Sequence, residues 1–173
     1  TSAQLPGTFN TSFGTNGYQT FDVSSKHQYG RALAVQPDGK VLIGGMHEHT
    51  NGKYDWLVYR VNTNGQLDLT FSGDGKYATS FGDEDFLVDI ALQSDGRIII
   101  TGSTDVTPGN RDIVVHRLEA NGTLDNSFGI NGTVILDRAF GGDDDVAKLI
   151  IDNNDKIYLG GKMRILGEDY ILI

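Results

Sequence analysis

Phe13-Gly14-Thr15-Asn16-Gly17 recurs as Phe71-Ser72-Gly73-Asp74-Gly75 and again as Phe128-Gly129-Ile130-Asn131-Gly132. The offsets are 71 − 13 = 58 and 128 − 71 = 57. A second marker moves in step: Asp38-Gly39-Lys40, Asp95-Gly96-Arg97, then Asn154-Asp155-Lys156. A third, Asp55, Asp112 and Asp169, is spaced by 57 both times. Self-similarity at a period this long is the signature of a modular array. Each copy must therefore be one structural unit that buries its apolar face against the next.

Working outward, residues 31–36 alternate loosely and meet Pro37-Asp38-Gly39. An Asp-Gly pair between two apolar runs suits a hairpin turn that needs positive φ. The return strand, 41–45, is apolar throughout, which predicts cover on both faces. A polar loop follows over 46–54, then a third strand at 56–61, the Asn64-Gly65 turn, and a more polar fourth strand at 76–80. The second copy repeats this at 89–93, 98–102, 113–118 and 133–137, and the third at 148–152, 157–161 and 170–173. No ten-residue stretch has helical periodicity, so the chain is expected to be all-β.

Four antiparallel strands per repeat, the innermost with small residues such as Ala32, Ala34 and Ala91, make the unit of a β-propeller blade. The expected organisation is one domain over 1–173 with three four-stranded antiparallel blades. An N-terminal outer strand covers about 8–22, blade 1 about 29–80 and blade 2 about 86–138. Blade 3 covers about 145–173 and lacks its outer strand. Propellers close with about four to eight blades, so three form an incomplete ring. Closure then requires further repeats in a longer chain or a second chain, a homo-oligomer in which each N-terminal strand completes its partner. Arg60 follows Asp55 by five residues and Arg117 follows Asp112 likewise, so Asp169 predicts an Arg just after Ile173. That favours a longer chain. The start at Thr1 is read as a removed leader or a cut from something larger.

Bulk properties narrow the function classes. The 23 glycines among 173 residues are roughly twice the usual share of about 7%, in keeping with many tight turns. A net charge of −9 with no basic stripe argues against a nucleic-acid partner. No apolar run reaches the ~20 residues of a membrane-spanning helix. The absence of cysteine excludes a disulfide scaffold and leaves the redox compartment open.

The motifs Leu124-Asp125-Asn126-Ser127-Phe128-Gly129-Ile130-Asn131-Gly132, the run 32–40 ending in Asp38-Gly39-Lys40, and the run from Asp55 through Arg60 to Gly65 resemble the delta-60 repeat family of bacterial β-propeller proteins. The resemblance covers nearly the whole chain. It implies a secreted or cell-surface protein and brings no catalytic motif with it.

Two readings exist for Asp55, Asp112 and Asp169: three ligands around a central channel, or an intra-blade Asp–Arg pair or turn cap. Recurrence in every copy favours the scaffold reading. The binding candidates are the acidic loops Asp83-Glu84-Asp85 and Asp143-Asp144-Asp145, which lead into the innermost strands. Clustered carboxylates on Gly-rich loops suit Ca²⁺, but neither run has the alternating spacing that aims ligands inward, and a solvated acidic rim is the competing reading. His47-Glu48-His49, expected in a loop, is a weaker metal candidate, and His116 is expected on a half-buried blade surface. Tyr18, Tyr54, Trp56 and Tyr77 are candidate sugar- or protein-binding aromatics, with Trp56 expected to pack between blades. No nucleophile constellation and no phosphate loop is present. The expected function is a non-enzymatic secreted or cell-surface module for adhesion or protein interaction, with a protein or surface glycan as partner and no required cofactor. The alternatives are a Ca²⁺-dependent carbohydrate-binding or enzyme-associated propeller, and a structural spacer in a surface fibre.

Overall fold

A computed structural model of the chain describes residues 7–21, 26–49, 52–107, 110–137, 142–165 and 168–172. Eleven strands form three antiparallel sheets, and none of the described residues is helical. The first sheet runs β1 (Gln28–Val35), β2 (Val41–Glu48), β3 (Tyr54–Val61) and β4 (Lys76–Thr79) in order. The second repeats it with β5 (Asp85–Leu92), β6 (Ile98–Thr107), β7 (Asn110–Leu118) and β8 (Thr133–Leu136). The third has three strands, β9 (Asp145–Ile151), β10 (Ile157–Ile165) and β11 (Glu168–Leu172). The inner strands β1, β5 and β9 lie side by side. The molecule is an incomplete β-propeller of two four-stranded blades and one three-stranded blade.

Blade 2 shows why its sequence is apolar on both faces. Ile98, Ile100, Val114 and Leu118 join Leu42, Trp56, Val58 and Phe71 of blade 1 in one core. Ile99 and Val115, on the opposite face, meet Leu149 of blade 3, with Ile157 and Leu159 packed around them. Burying each such side chain contributes roughly 1.5–3 kcal/mol, and an Ile-Ile-Ile run feeds both interfaces at once. Polar ties reinforce the second. Asp89 of β5 accepts from the Leu149 amide at 3.0 Å and the Lys148 ammonium at 2.7 Å. The Ser94 amide donates to the Asp155 carboxylate at 2.7 Å. Asp155 itself stands at φ 61°, where the other two hairpins carry Gly39 and Gly96.

Every inner strand contains a β-bulge at the same place. Pairing skips Arg31, Val88 and Ala147, leaving each without a partner. The bulge drives a carbonyl toward the neighbouring strand, and this explains a glycine in each copy that no turn requires. A Cβ on Gly45 would lie 2.1 Å from the Tyr29 oxygen, on Gly102 2.0 Å from the Phe86 oxygen, and on Gly161 2.2 Å from the Asp145 oxygen. Only glycine permits that approach.

The repeat markers converge on one latch per blade. Arg60 donates through Nε to Asp68 at 2.8 Å, stacks 4.8 Å over Phe71, and donates to the Ala120 carbonyl of the next blade at 2.6 Å. Lys40 of the Asp-Gly-Lys hairpin meets the same Asp68 at 3.0 Å. In blade 2, Arg117 donates to Asp125 at 2.7 Å and stacks 4.5 Å over Phe128, while Arg97 reaches Asp125 at 3.2 Å. The expected pairing of these arginines with Asp55 and Asp112 is thereby corrected: each arginine bonds the aspartate eight residues on. Burial opposes the Asp68 charge, but hydrogen bonds from Thr70 and Lys40 and the nearby Arg60 outweigh it and hold the carboxyl far below its ordinary range.

Three further expectations differ from the structure. The N-terminal outer strand of 8–22 is not formed over residues 7–21, where one bridge, Thr15 to Tyr18, is the β pairing present. Strand β2 extends to Glu48, so His47 sits in a strand rather than a loop. Asp169 pairs with Arg164, whereas Asp55 and Asp112 pair with His47 and Thr104. Counted from the bulge glycine, Asp169 is therefore one pair out of step with its two sequence counterparts.

Candidate functional site

The acidic loops connect blades, and the structure separates their side chains by role. Asp83 forms an ion pair with Lys53, which comes from the β2–β3 loop of blade 1. Glu84 accepts the Asp105 amide through its carbonyl at 2.9 Å. Asp85 is fully buried: it accepts the Phe81 amide at 2.7 Å and the Thr104 hydroxyl. Burial pushes its carboxyl up despite those hydrogen bonds, and Asp55 adds to the rise. In the second loop, Asp143 accepts the Arg111 amide at 3.3 Å, and the buried Asp144 accepts the Arg164 amide at 2.8 Å. Asp145 faces Arg111 at 3.5 Å and Lys162 at 3.6 Å.

Five of the six candidate carboxylates thus accept hydrogen bonds or form ion pairs that tie one blade to another or hold a loop to its own sheet. Asp85 and Asp144 are the most committed, because a buried carboxylate needs its donors. Among the described residues no group of three or more His, Asp or Glu side chains is placed to hold a metal ion. His49 lies 3.8 Å from Asp55. Of the candidate aromatics, Trp56 is buried between blades, and Tyr77 is not a surface group but donates or accepts at His116 Nε2 over 2.8 Å. Tyr18 is exposed, and Tyr54 meets Tyr29 edge-on at 5.5 Å.

His116 is fully buried rather than half-buried, with Nδ1 2.9 Å from the Thr133 hydroxyl and its ring 5.1 Å from Phe81. Burial lowers its pKa to about 4, keeping it neutral. Asp112 is buried as well, and its pKa is raised to about 6 by burial first and by Asp137 and Asp144 second.

Asp145 also contributes to a feature that sequence reasoning did not find. A cleft of about 400 Å³ opens where the inner strands of the blades begin, lined by Arg31, Met46, Phe86, Leu87, Val88, Ser103, Arg111 and Asp145. Arg111 is fixed there: it stacks 4.6 Å over Phe86 and donates to Asp105 at 3.1 Å. Arg31 is exposed and has no ion pair among the described residues. It is a bulge residue, as is Val88, and bulges re-aim side chains. The equivalent bulge positions carry Val88 and Ala147, so this is the point at which the copies stop being equal. The signal available in the sequence was the placement of Gly45, Gly102 and Gly161 within strand patterns, where glycine marks close backbone approach or a bulge.

Residues 36–71 and 93–128 match a family model described as "Domain of unknown function (DUF5122) beta-propeller". No curated protein matches the chain. The matched segments begin at Gln36 and Gln93 and end at Phe71 and Phe128, 57 residues apart at either boundary. They run from each hairpin turn through the third strand to the latch phenylalanine, so the two matched segments are similar to that family at the same repeating unit that the sheets show, a β-propeller blade.

Proposed function

We propose that this chain, of the delta-60 repeat type, is a non-enzymatic propeller module of a secreted or cell-surface protein and works by binding a protein partner at the loop-end cleft. The observation that carries this reading is the unpaired Arg31 guanidinium beside the Phe86, Leu87 and Val88 walls, at a position where the repeat symmetry is broken. Scaffold residues recur in every blade; Arg31 does not. A cation with an apolar floor suits a carboxylate carried next to an apolar or aromatic side chain, as in an acidic peptide segment. The net charge of −9 works against extended polyanions, which narrows the partner to a short local match.

The test is selection from a random-peptide display library on the whole chain. Enriched peptides should pair Asp or Glu with a neighbouring apolar residue and bind Arg31→Glu at least tenfold more weakly, about 1.4 kcal/mol. A library without enrichment, or peptides indifferent to Arg31, would sink the reading. Signal on a glycan array that depends on Ca²⁺ would support the carbohydrate-binding alternative instead.

A further inference from the structure

Strand β6 carries three buried hydroxyl side chains, Thr101, Ser103 and Thr104. Thr101 donates to the Val114 carbonyl at 2.9 Å, and Thr104 donates to the Asp85 carboxylate. Ser103 is 3% exposed, yet among the described residues its hydroxyl has no hydrogen-bond partner. Buried hydroxyls are normally paired, and one that is not calls for an explanation. It is not sealed off from solvent either. Ser103 lines the loop-end cleft, so the little surface it keeps opens there.

The bulge fixes its place. Ser103 follows the bulge glycine Gly102 and pairs across the sheet with Phe86. Cross-strand partners share a face, so the hydroxyl stands beside the Phe86 ring over which Arg111 is stacked. The residues after Gly45 and Gly161, at the same repeat position, are Met46 and Lys162. Met46 lines the same cleft, and Lys162 meets the cleft residue Asp145 at 3.6 Å. One repeat position thus presents a thioether, a hydroxyl and an ammonium in the three blades. The scaffold does not require such variety; a site that selects a ligand does.

At about 400 Å³ the cleft lies at the small end of the usual ligand range of about 300–1,000 Å³, so a peptide fills it with a few side chains. Apolar side chains suit the Leu87 and Val88 walls, and a carboxylate suits Arg31. Neither answers Ser103. Hydrocarbon laid over that hydroxyl would complete its burial without a partner, which is costlier than never burying it. A site built to hydrogen-bond rejects a ligand lacking the group more strongly than an apolar pocket rejects a wrong shape.

We infer that Ser103 is the specificity-determining residue of the cleft: beside its carboxylate and apolar side chain, the peptide partner brings a hydroxyl or amide that hydrogen-bonds the Ser103 oxygen. The inference rests on the reading of the cleft as a peptide site and adds a further requirement to what enters it.

Two measurements on the whole chain test this. Without ligand, Ser103→Ala should leave the urea midpoint unchanged or raised, because no hydrogen bond is lost, while Thr101→Val lowers it. An equal fall for both variants would show the serine to be paired already and would overturn the inference. Binding is measured by calorimetry with blocked tetrapeptides in which an Asp-Phe or Phe-Asp pair is flanked on both sides by Thr or by its isosteric counterpart Val. The wild type should bind the better Thr peptide about tenfold more tightly than its Val counterpart, and Ser103→Ala should abolish that preference. Arg31→Glu should weaken both peptides and leave their ratio unchanged. Binding that needs Arg31 but shows no preference for Thr, or a preference that survives Ser103→Ala, overturns this inference and leaves the peptide reading of the cleft standing. Peptides that bind independently of Arg31, or fail to bind at all, overturn both.

Discussion

Asp112 and His116 lie four residues apart on β7, both buried, and titrate in opposite senses. The Asp112 pKa of about 6 in the fold stands above its ordinary 3.8. The folded state therefore holds that proton more tightly, and the stability it contributes is present at low pH and lost as pH rises through 6. The His116 pKa of about 4 stands below its ordinary 6.5. Its contribution is present above 6.5 and is lost as pH falls through 4. Each slope approaches about 1.4 kcal/mol per pH unit, so between pH 4 and 6 the two oppose each other. Asp112→Asn should unmask the histidine: relative to wild type, the variant gains stability as pH rises from 4 and is more stable at pH 7 by on the order of 1–3 kcal/mol. Urea midpoints at pH 4.5, 5.5 and 7 measure this; an unchanged difference across the series would refute it. The sequence places both residues on a strand, but the burial of His116 follows from blade 1 packing its Tyr77 and Phe81 against that ring. That contact spans 39 residues at Tyr77 and lies outside any local pattern.

At the scale of the element, the strand centres, the hairpin turns and the blade order were legible in the sequence, since apolar period and Asp-Gly chemistry act locally. The bulges were not. Skipping Arg31, Val88 or Ala147 leaves the apolar residues of each inner strand almost unchanged in pattern while altering which neighbour each one meets. Gly102→Ala tests that reading. Its Cβ would fall 2.0 Å from the Phe86 oxygen and 2.6 Å from the Trp56 ring, and the expected loss is about 3 kcal/mol, at the upper end for overpacking. Gly160→Ala is the matched comparison, because nothing lies within 4 Å of its Cβ. It should be neutral or slightly stabilising. Equal effects at the two sites, by thermal or denaturant unfolding, would show that the bulge does not impose the glycine.

Across the whole molecule, the blades stand or fall together through their shared faces. Trp56 joins the blade 1 sheet to Leu87 and Ile100 of blade 2 within one core. Trp56→Ala should cost about 3–5 kcal/mol, and amide hydrogen exchange should rise in β3 and β6 together. Faster exchange confined to blade 1 would contradict a shared core. The sequence by itself determined the period, the turns and the two-faced apolar strands, because these depend on φ preference and side-chain alternation within a few residues. It also singled out Arg60, Arg117, Lys40 and the Leu-Asp-x-Ser/Thr-Phe motif, without showing that they form one latch. Tertiary structure alone decided that Arg60 bonds Asp68 rather than Asp55, that the acidic loops tie blades together, and that Arg31 faces a cleft. Those outcomes turn on which sheet faces meet, and a carboxylate takes whichever donor the packed sheets bring within about 3 Å.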